Sequence, residues 1–346
     1  MKRPVSILAA LVAGALMAGP ALAQKTVLTV GMQSSDAGVL DPHLNSGTPG
    51  KAMLQWMFNG LVRIKPGELS PEFMEPDLAE SWTSSADGKE WNFKLRQGVQ
   101  CHHGYGEFTA VDAVYSLKRA ATKESSAFSS DYAAVDAIEA PDKYSVKITL
   151  KQAIPSLLGI VMNYHGGNMV CKKAAEELGK DGFAKKPVGT GPFMFQEYVP
   201  QQYAKLVANP NYFRGKPKLT EILYRFIPSD SSRDLAFQSG ELDMMLGRQE
   251  QAWVDRMTAL PGVKVVAMGP AEMSVLHLNT SQPPLDNIKV RQAFAHAIDL
   301  NAIWQFRGKN ISRPAVSVVP SGYLGADEKA PLLPFDLAKS KALLAE

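Results

Sequence analysis

Residues 278–299, LNTSQPPLDNIKVRQAFAHAID, constrain the chain most strongly, because two adjacent prolines stand between a short apolar run and a helical repeat. Val275, Leu276 and Leu278 predict a short buried strand ended by Asn279. Pro283 and Pro284 cannot continue it, since proline offers no ladder donor. Asp286 or Asn287 then caps a helix by accepting an orphan backbone N–H. Val290, Phe294, Ala297 and Ile298 fall at i, i+4, i+7 and i+8, an apolar stripe expected to face a core, while Lys289, Arg291, Gln292 and His296 project elsewhere. Asp299 is the expected cap of a second helix, whose Ile303, Trp304 and Phe306 continue the buried surface. The stretch predicts a strand, a turn and a helix docking on one core.

A chain of 346 residues is long enough for two or three compact units. Its start has the layout of an export signal: Lys2 and Arg3 are basic, residues 5–18 are nearly all apolar, and Ala21-Leu22-Ala23 supplies a small-x-small cleavage site. That apolar run is short for a membrane span of about 20 residues, and no cysteine follows the site to carry a lipid. The mature protein is therefore expected to begin at Gln24 and to be soluble in the periplasm. Cleavage takes two of 37 basic residues and none of 34 acidic ones, leaving a nearly neutral chain. A surface that tracks phosphates is strongly basic, so nucleic acid is not the expected partner.

Along the chain, Val27, Leu28 and Val30 predict a buried strand over 25–32. It runs into Asp41-Pro42-His43-Leu44-Asn45-Ser46-Gly47-Thr48, and a loop after a strand end is where α/β sheets meet ligands. Ser46, Gly47 and Thr48 are small and polar, and glycine lets backbone N–H groups approach a ligand. A plain entry turn into the helix at 52–58 fits the same residues. Asp87-Gly88 is a strong hairpin signal. Trp91, Phe93 and Leu95 alternate with Asn92, Lys94 and Arg96, as do Tyr144, Val146, Ile148 and Leu150 in a later run. Thr109 and Asp112 form a capping pattern for a helix bearing Val114 and Leu117. Pro187-Val188-Gly189-Thr190-Gly191-Pro192-Phe193 predicts a turn, and no Gly-Lys pair is followed by Ser or Thr, so there is no Walker A loop. Residues 209–215 form a turn cluster, Tyr224 and Phe226 mark a strand, and residues 236–243 read as helix, turn and strand.

No catalytic motif stands out. There is no G-x-S-x-G elbow and no H-E-x-x-H, although paired carboxylates in a cleft would leave little trace in a sequence. Cys101-His102-His103 has ligand-type residues, but consecutive side chains of an extended segment point to opposite faces. Neither a metal nor another cofactor is expected. Cys101 and Cys171 could pair in an exported chain or remain as two thiols, since spacing does not supply the Cα separation.

Several blocks resemble one known family. N-x-x-x-x-P-L-D-N-x-K-V-R-Q-A-x-x-x-A-I-D is similar to a signature of the extracytoplasmic solute-binding proteins of peptide, opine and nickel ABC importers, the dipeptide/oligopeptide-binding family (solute-binding family 5). L-A-E-S-W, D-G-K-x-W-x-F-x-L-R-x-G-V and F-T-A-x-D-A-V-x-S-L-K-R resemble further blocks in the same order, as do the Pro187–Phe193 motif and residues 236–243. The family's usual aromatic and its usual acidic or polar residue are replaced by Cys101 and His103.

The resemblance implies an α/β, class II-like two-lobed periplasmic-binding-protein fold with an extra accessory domain. Residues 1–23 would be the signal peptide, 24–65 and 186–269 lobe I, 66–185 the accessory domain, and 270–346 the start of lobe II, which is incomplete here. The accessory domain does not touch ligand in the family, so Trp82, Trp91, Lys118 and Arg119 receive no binding role. Ser46, Gly47 and Thr48 are expected to line the cleft. Gly269, Pro270, Ala271 and Glu272 form a hinge between lobes, with Glu272, Met273 and Ser274 near the cleft mouth and Glu272 and Met273 as contacts. Family members continue well beyond Glu346, so the resemblance covers about the first two-thirds of a member. The missing part would complete lobe II and carry groups that hold a peptide's amino terminus, so residues 24–346 are expected to bind ligand weakly or not at all.

The expected function is capture of a di- or oligopeptide or another small solute by a monomer that delivers it to an ABC permease without making or breaking a bond. Nickel complexes, opines and sugars are alternative solutes on the same scaffold. An exported hydrolase of peptides or glycans and a truncated relic are the competing classes.

Overall fold

The computed structural model describes residues 25–68, 71–267, 273–309, 311–315, 317–319, 325–327, 329–330 and 333–346. The expected signal peptide and the hinge residues Gly269, Pro270, Ala271 and Glu272 lie outside this set. In chain order the elements are β1 (Val27–Met32), α1 (Thr48–Leu54), β2 (Val62–Ile64), β3 (Met74–Pro76), β4 (Ala79–Ser84), β5 (Glu90–Leu95), α2 (Ala110–Ala120), β6 (Val135–Asp142), β7 (Ser145–Leu150), α3 (Leu157–Ile160) and α4 (Lys172–Phe183). They continue with β8 (Phe193–Val199), β9 (Tyr203–Ala208), β10 (Glu221–Phe226), α5 (Asp230–Gln238), β11 (Met244–Met245), α6 (Gln251–Thr258), α7 (Ile288–Ala297), α8 (Leu300–Arg307) and α9 (Leu337–Ala345).

Two sheets carry most of the structure. A five-stranded sheet has the order β11-β1-β10-β9-β8, and a four-stranded sheet the order β4-β5-β7-β6. In the first, β1 runs parallel to both neighbours, β10 and β11, whereas β9 is antiparallel to β10 and β8. This sheet joins a strand from the start of the chain to strands more than 160 residues later, with the antiparallel sheet inserted between them in sequence. The alternation read in β5 and β7 holds: Phe93, Leu95, Val146, Ile148 and Leu150 are buried while Asn92 and Lys94 are exposed. Asp112 accepts from the backbone N–H of Thr109 at 2.9 Å, so the predicted cap of α2 is present.

One apolar core runs through both sheets. Val30, Met32, Ile222, Tyr224 and Phe226 of the first sheet share it with Met53, Leu54, Met57 and Phe58 in and after α1, and with Phe93, Leu117 and Val146. Burying each large side chain of this kind stabilises the fold by about 1.5–3 kcal/mol. Cys101 and Cys171 are joined by a disulfide, their Cα atoms 6.1 Å apart. Asn59 and Asp77 add a buried polar knot in which Asn59 Nδ2 donates to both Asp77 oxygens at 3.0 Å, while Thr190 Oγ1 donates to Asn59 Oδ1 at 3.0 Å. Burial raises the Asp77 carboxyl pKa, and Asn59 and Arg214 oppose that shift.

The region around Pro283 and Pro284 departs from the sequence reading in three ways. Residues 273–279 form no strand, and Val275 and Leu276 are 51% and 67% exposed. A strand needs a hydrogen-bonding neighbour, and none pairs with this segment among the described residues. The helix forms as read, with Asn287 Oδ1 accepting from Lys289 N at 2.9 Å, but its apolar stripe is not its buried face. Phe294 is 44% exposed, Val290 and Ile298 are half-buried and Ala297 is exposed, whereas Ala293 and His296 are buried. Those two meet α9: Ser340 Oγ donates to Ala293 O at 2.8 Å, and Asp336 N donates to His296 O at 2.8 Å. The small Ala293 and Ser340 meet at this contact beside the buried His296, and Phe294 stands outside it. Asp299 caps α8 by accepting from Asn301 N and Ala302 N at 3.0 Å. Ile303 and Phe306 nevertheless stand 48% and 88% exposed and Trp304 is half-buried, so α8 does not continue a buried surface among the described residues.

Candidate functional site

The parallel strands β1, β10 and β11 end on one side of their sheet, and the loop between β1 and α1 leaves from there. Such carboxyl ends are where open α/β sheets receive ligands. Arg233 of α5 is 1% exposed and ties the neighbouring strand ends together, its Nη1 donating to Ile227 O at 2.8 Å and its Nε to Leu246 O at 3.2 Å. Beside it Asp234 accepts from Trp253 Nε1 at 3.0 Å and Arg248 Nη2 at 2.8 Å. Neither residue carried a sequence signal beyond its place on a helix.

The loop is shaped by Asn45. Its Nδ2 donates to Ala37 O at 3.0 Å and Val39 O at 2.7 Å, and its Oδ1 accepts from Gly47 N at 3.1 Å. A Cβ on Gly50 would stand 2.1 Å from Asn45 Nδ2, so only glycine admits the amide there. This brace presents Ser46, Gly47 and Thr48 as three consecutive exposed residues, with Gly47 as the cap and Thr48 as the first residue of α1. The Gly47 amide is already engaged by Asn45, so the exposed polar groups of Ser46 and Thr48 on either side of it are the candidates for a ligand. Of the other expected contacts, Glu272 lies outside the described residues. Met273 is half-buried, and no hydrogen bond or ring contact among the described residues joins it to the loop.

Behind the loop lies a buried charge network. Arg119 of α2 donates from Nη1 to Asp41 Oδ1 at 2.9 Å and to His43 Nδ1 at 2.8 Å, and from Nη2 to Asp41 Oδ2. His43 Nε2 lies 2.8 Å from Asn168 O. The guanidinium must donate and the carbonyl must accept, so the imidazole is neutral with its hydrogen on Nε2. Burial, with Arg119 adding to it, lowers the His43 pKa to about 4.

A cluster of rings sits one helical turn from Thr48. Lys51 Nζ is 4.7 Å from the Tyr164 ring centre and 3.4 Å from its hydroxyl. Tyr164 stacks on His165 at 4.3 Å, and His165 lies nearly parallel to Phe128 at 4.9 Å. His165 takes φ of 51°, a left-handed conformation uncommon outside glycine, and its Nδ1 is 3.7 Å from Asp131. Desolvation and the Lys51 charge lower the His165 pKa, against the pull of Asp131. Sequence reasoning assigned none of these residues. His165 before Gly166-Gly167 was the one local hint, and its partners are dispersed along the chain.

The Cys101-His102-His103 triplet is structural. Cys101 is in the disulfide. His102 is buried with Nε2 3.0 Å from Gly191 O, and His103 is exposed. Among the described residues no group of three or more histidine, cysteine or acidic side chains is arranged to hold a metal ion.

The fold, a mixed five-stranded sheet with an antiparallel sheet inserted within its sequence, is that of solved solute-binding proteins. The structure of MoaA from A. tumefaciens R10 in complex with mannopinic acid is 46% identical with a TM-score of 0.86, over 93% of this chain and 65% of that one. The periplasmic binding protein DppA from Helicobacter pylori, in complex with the peptide STSA, is 29% identical with a TM-score of 0.83, over 92% and 65%. The glutathione-binding protein GsiB of Salmonella paratyphi A is 31% identical over 96% of this chain and 64% of its own length. Residues 74–346 match the family described as bacterial extracellular solute-binding proteins, family 5 Middle. The chain belongs to that family. It spans less than two thirds of the length of the relatives it matches.

Proposed function

We propose that the chain is the substrate-binding component of an ABC importer, acting in the periplasm as a monomer that captures a di- or oligopeptide and hands it to the membrane permease. The observation that carries this reading is the Asn45-braced presentation of Ser46, Gly47 and Thr48 at the carboxyl end of β1. In this reading residues 24–65 and 186–269 form lobe I, 66–185 an accessory domain, and 270–346 the start of a second lobe, with Glu272 and Met273 reaching the ligand across the hinge. The ligand is held by hydrogen bonds and charge contacts from a shaped cleft, and closure of the second lobe adds contacts. No bond is broken. Peptide-binding relatives support the solute class.

A second reading, an opine in place of a peptide, is supported by the 46% identity to a protein solved with mannopinic acid. Both are tested by titrating the chain from Gln24 with the dipeptide Met-Leu and with mannopinic acid while following melting temperature and product formation. A ligand-dependent rise in melting temperature without product is expected, and in this reading it is small, because residues 270–346 supply only the start of the second lobe. Turnover abolished by one Asp, Glu or Ser substitution would replace both readings with an exported hydrolase.

A further inference from the structure

We infer that Lys51 is the anion-recognising residue of the cleft, and that the solute received by the Ser46–Thr48 loop presents a carboxylate to it. This rests on the reading of that loop as the ligand edge and adds a chemical requirement on the ligand. Thr48 and Lys51 are three residues apart in α1, so their side chains lie on one helix face. The Lys51 ammonium is not paired with an acid among the described residues. Among the described residues its side chain is engaged by the face and hydroxyl of Tyr164, and the nearby carboxylate, Asp131, stands against His165 instead.

That arrangement is unlike an ordinary surface lysine. Lys51 is half-buried, and the Tyr164 ring that supports it is backed by His165 and then by Phe128, which is 7% exposed. A ring face holds a cation in place without neutralising it. The ammonium keeps donor capacity while its stem is held against the ring, so an incoming anion meets a prepared partner. A carboxylate bridging the Thr48 hydroxyl and Lys51 Nζ would satisfy both groups with charge-assisted hydrogen bonds. A cationic solute would be repelled from the same spot.

The test uses the chain from Gln24 and the minimal carboxylate probe, sodium acetate, titrated against sodium chloride at equal ionic strength. The Tyr164 ring resonances and the Lys51 Cε and Nζ resonances are followed by NMR. Saturable shifts with acetate beyond those with chloride are expected, lost in Lys51→Met and retained in Lys51→Arg. Identical responses to the two salts, or an acetate response surviving in Lys51→Met, would overturn the assignment. The outcome is separable from the solute titration, because acetate needs only Thr48 and Lys51, whereas capture of a whole solute needs the second wall of the cleft.

Discussion

Arg119 and Asp41, 78 residues apart in sequence, form a two-pronged ion pair whose side chains are 11% and 0% exposed. It fastens the loop after β1 to the helix that covers the four-stranded sheet. Removing one partner strands the other charge in a medium that cannot solvate it. Arg119→Met is therefore expected to destabilise the fold by about 3–5 kcal/mol. The double variant Asp41→Asn/Arg119→Met should lose less than Arg119→Met alone. Urea unfolding of the variants checks this, and strictly additive losses would show that the pair is not coupled.

Two buried histidines make stability pH-dependent. His43 and His102 both have pKa values lowered to about 4, chiefly by burial. The unfolded chain, titrating near 6.5, binds these protons more readily than the folded one. Stability is thus fully present above about pH 6.5 and declines as pH falls toward 4, by roughly 3 kcal/mol per histidine at completion. Urea midpoints measured across this interval should fall with pH, and His102→Asn should flatten the slope whatever its effect on absolute stability.

The Cys101–Cys171 bridge closes a loop of 70 residues. Restricting the unfolded chain over a loop of that size is worth about 2–4 kcal/mol. The Cys101→Ala/Cys171→Ala variant should melt lower than the oxidised protein by a corresponding amount and be insensitive to dithiothreitol, whereas reductant should lower the melting temperature of the parent.

Gly189 passes so close to the residues after α1 that a Cβ would lie 2.2 Å from Met57 O. Because that neighbour is backbone, Gly189→Ala must push two segments apart, at a cost of about 1–3 kcal/mol. Gly159→Ala, where a Cβ meets nothing within 4 Å, serves as the neutral comparison in thermal melts.

Local features were legible in the residues. The caps at Thr109, Asn287 and Asp299 each depend on a side chain reaching backbone groups two or three positions away, and all three formed. The alternation in β5 and β7 identified their buried faces because a pleated strand has only two. In α7 the same logic failed. A helix has many possible faces, and periodicity finds an apolar stripe without saying what covers it. The contact with α9 selected Ala293 and His296, with Ser340 opposite, and left Phe294 outside.

The exposed Ser46–Thr48 turn was readable because glycine and small hydroxyl residues advertise a turn. Its brace and its neighbours were not. Asn45 acts through carbonyls six and eight residues back, and Lys51 meets Tyr164 across 113 residues. Nothing local marks such pairs.

By its sequence alone this chain settled much of its secondary structure, though not the strand expected before Asn279, together with its helix caps, its turns and, through long motifs, its family, because these depend on interactions spanning a few residues or on extended patterns. Which apolar faces are covered, whether Cys101 meets Cys171, and whether Lys51 meets Tyr164 were decided only in three dimensions. Burial and charge compensation are properties of the neighbours a residue acquires, and those neighbours are brought together by contacts between segments far apart in the chain, as in the Cys101–Cys171 bridge, the pairing of β1 with β10 and the packing of α7 on α9.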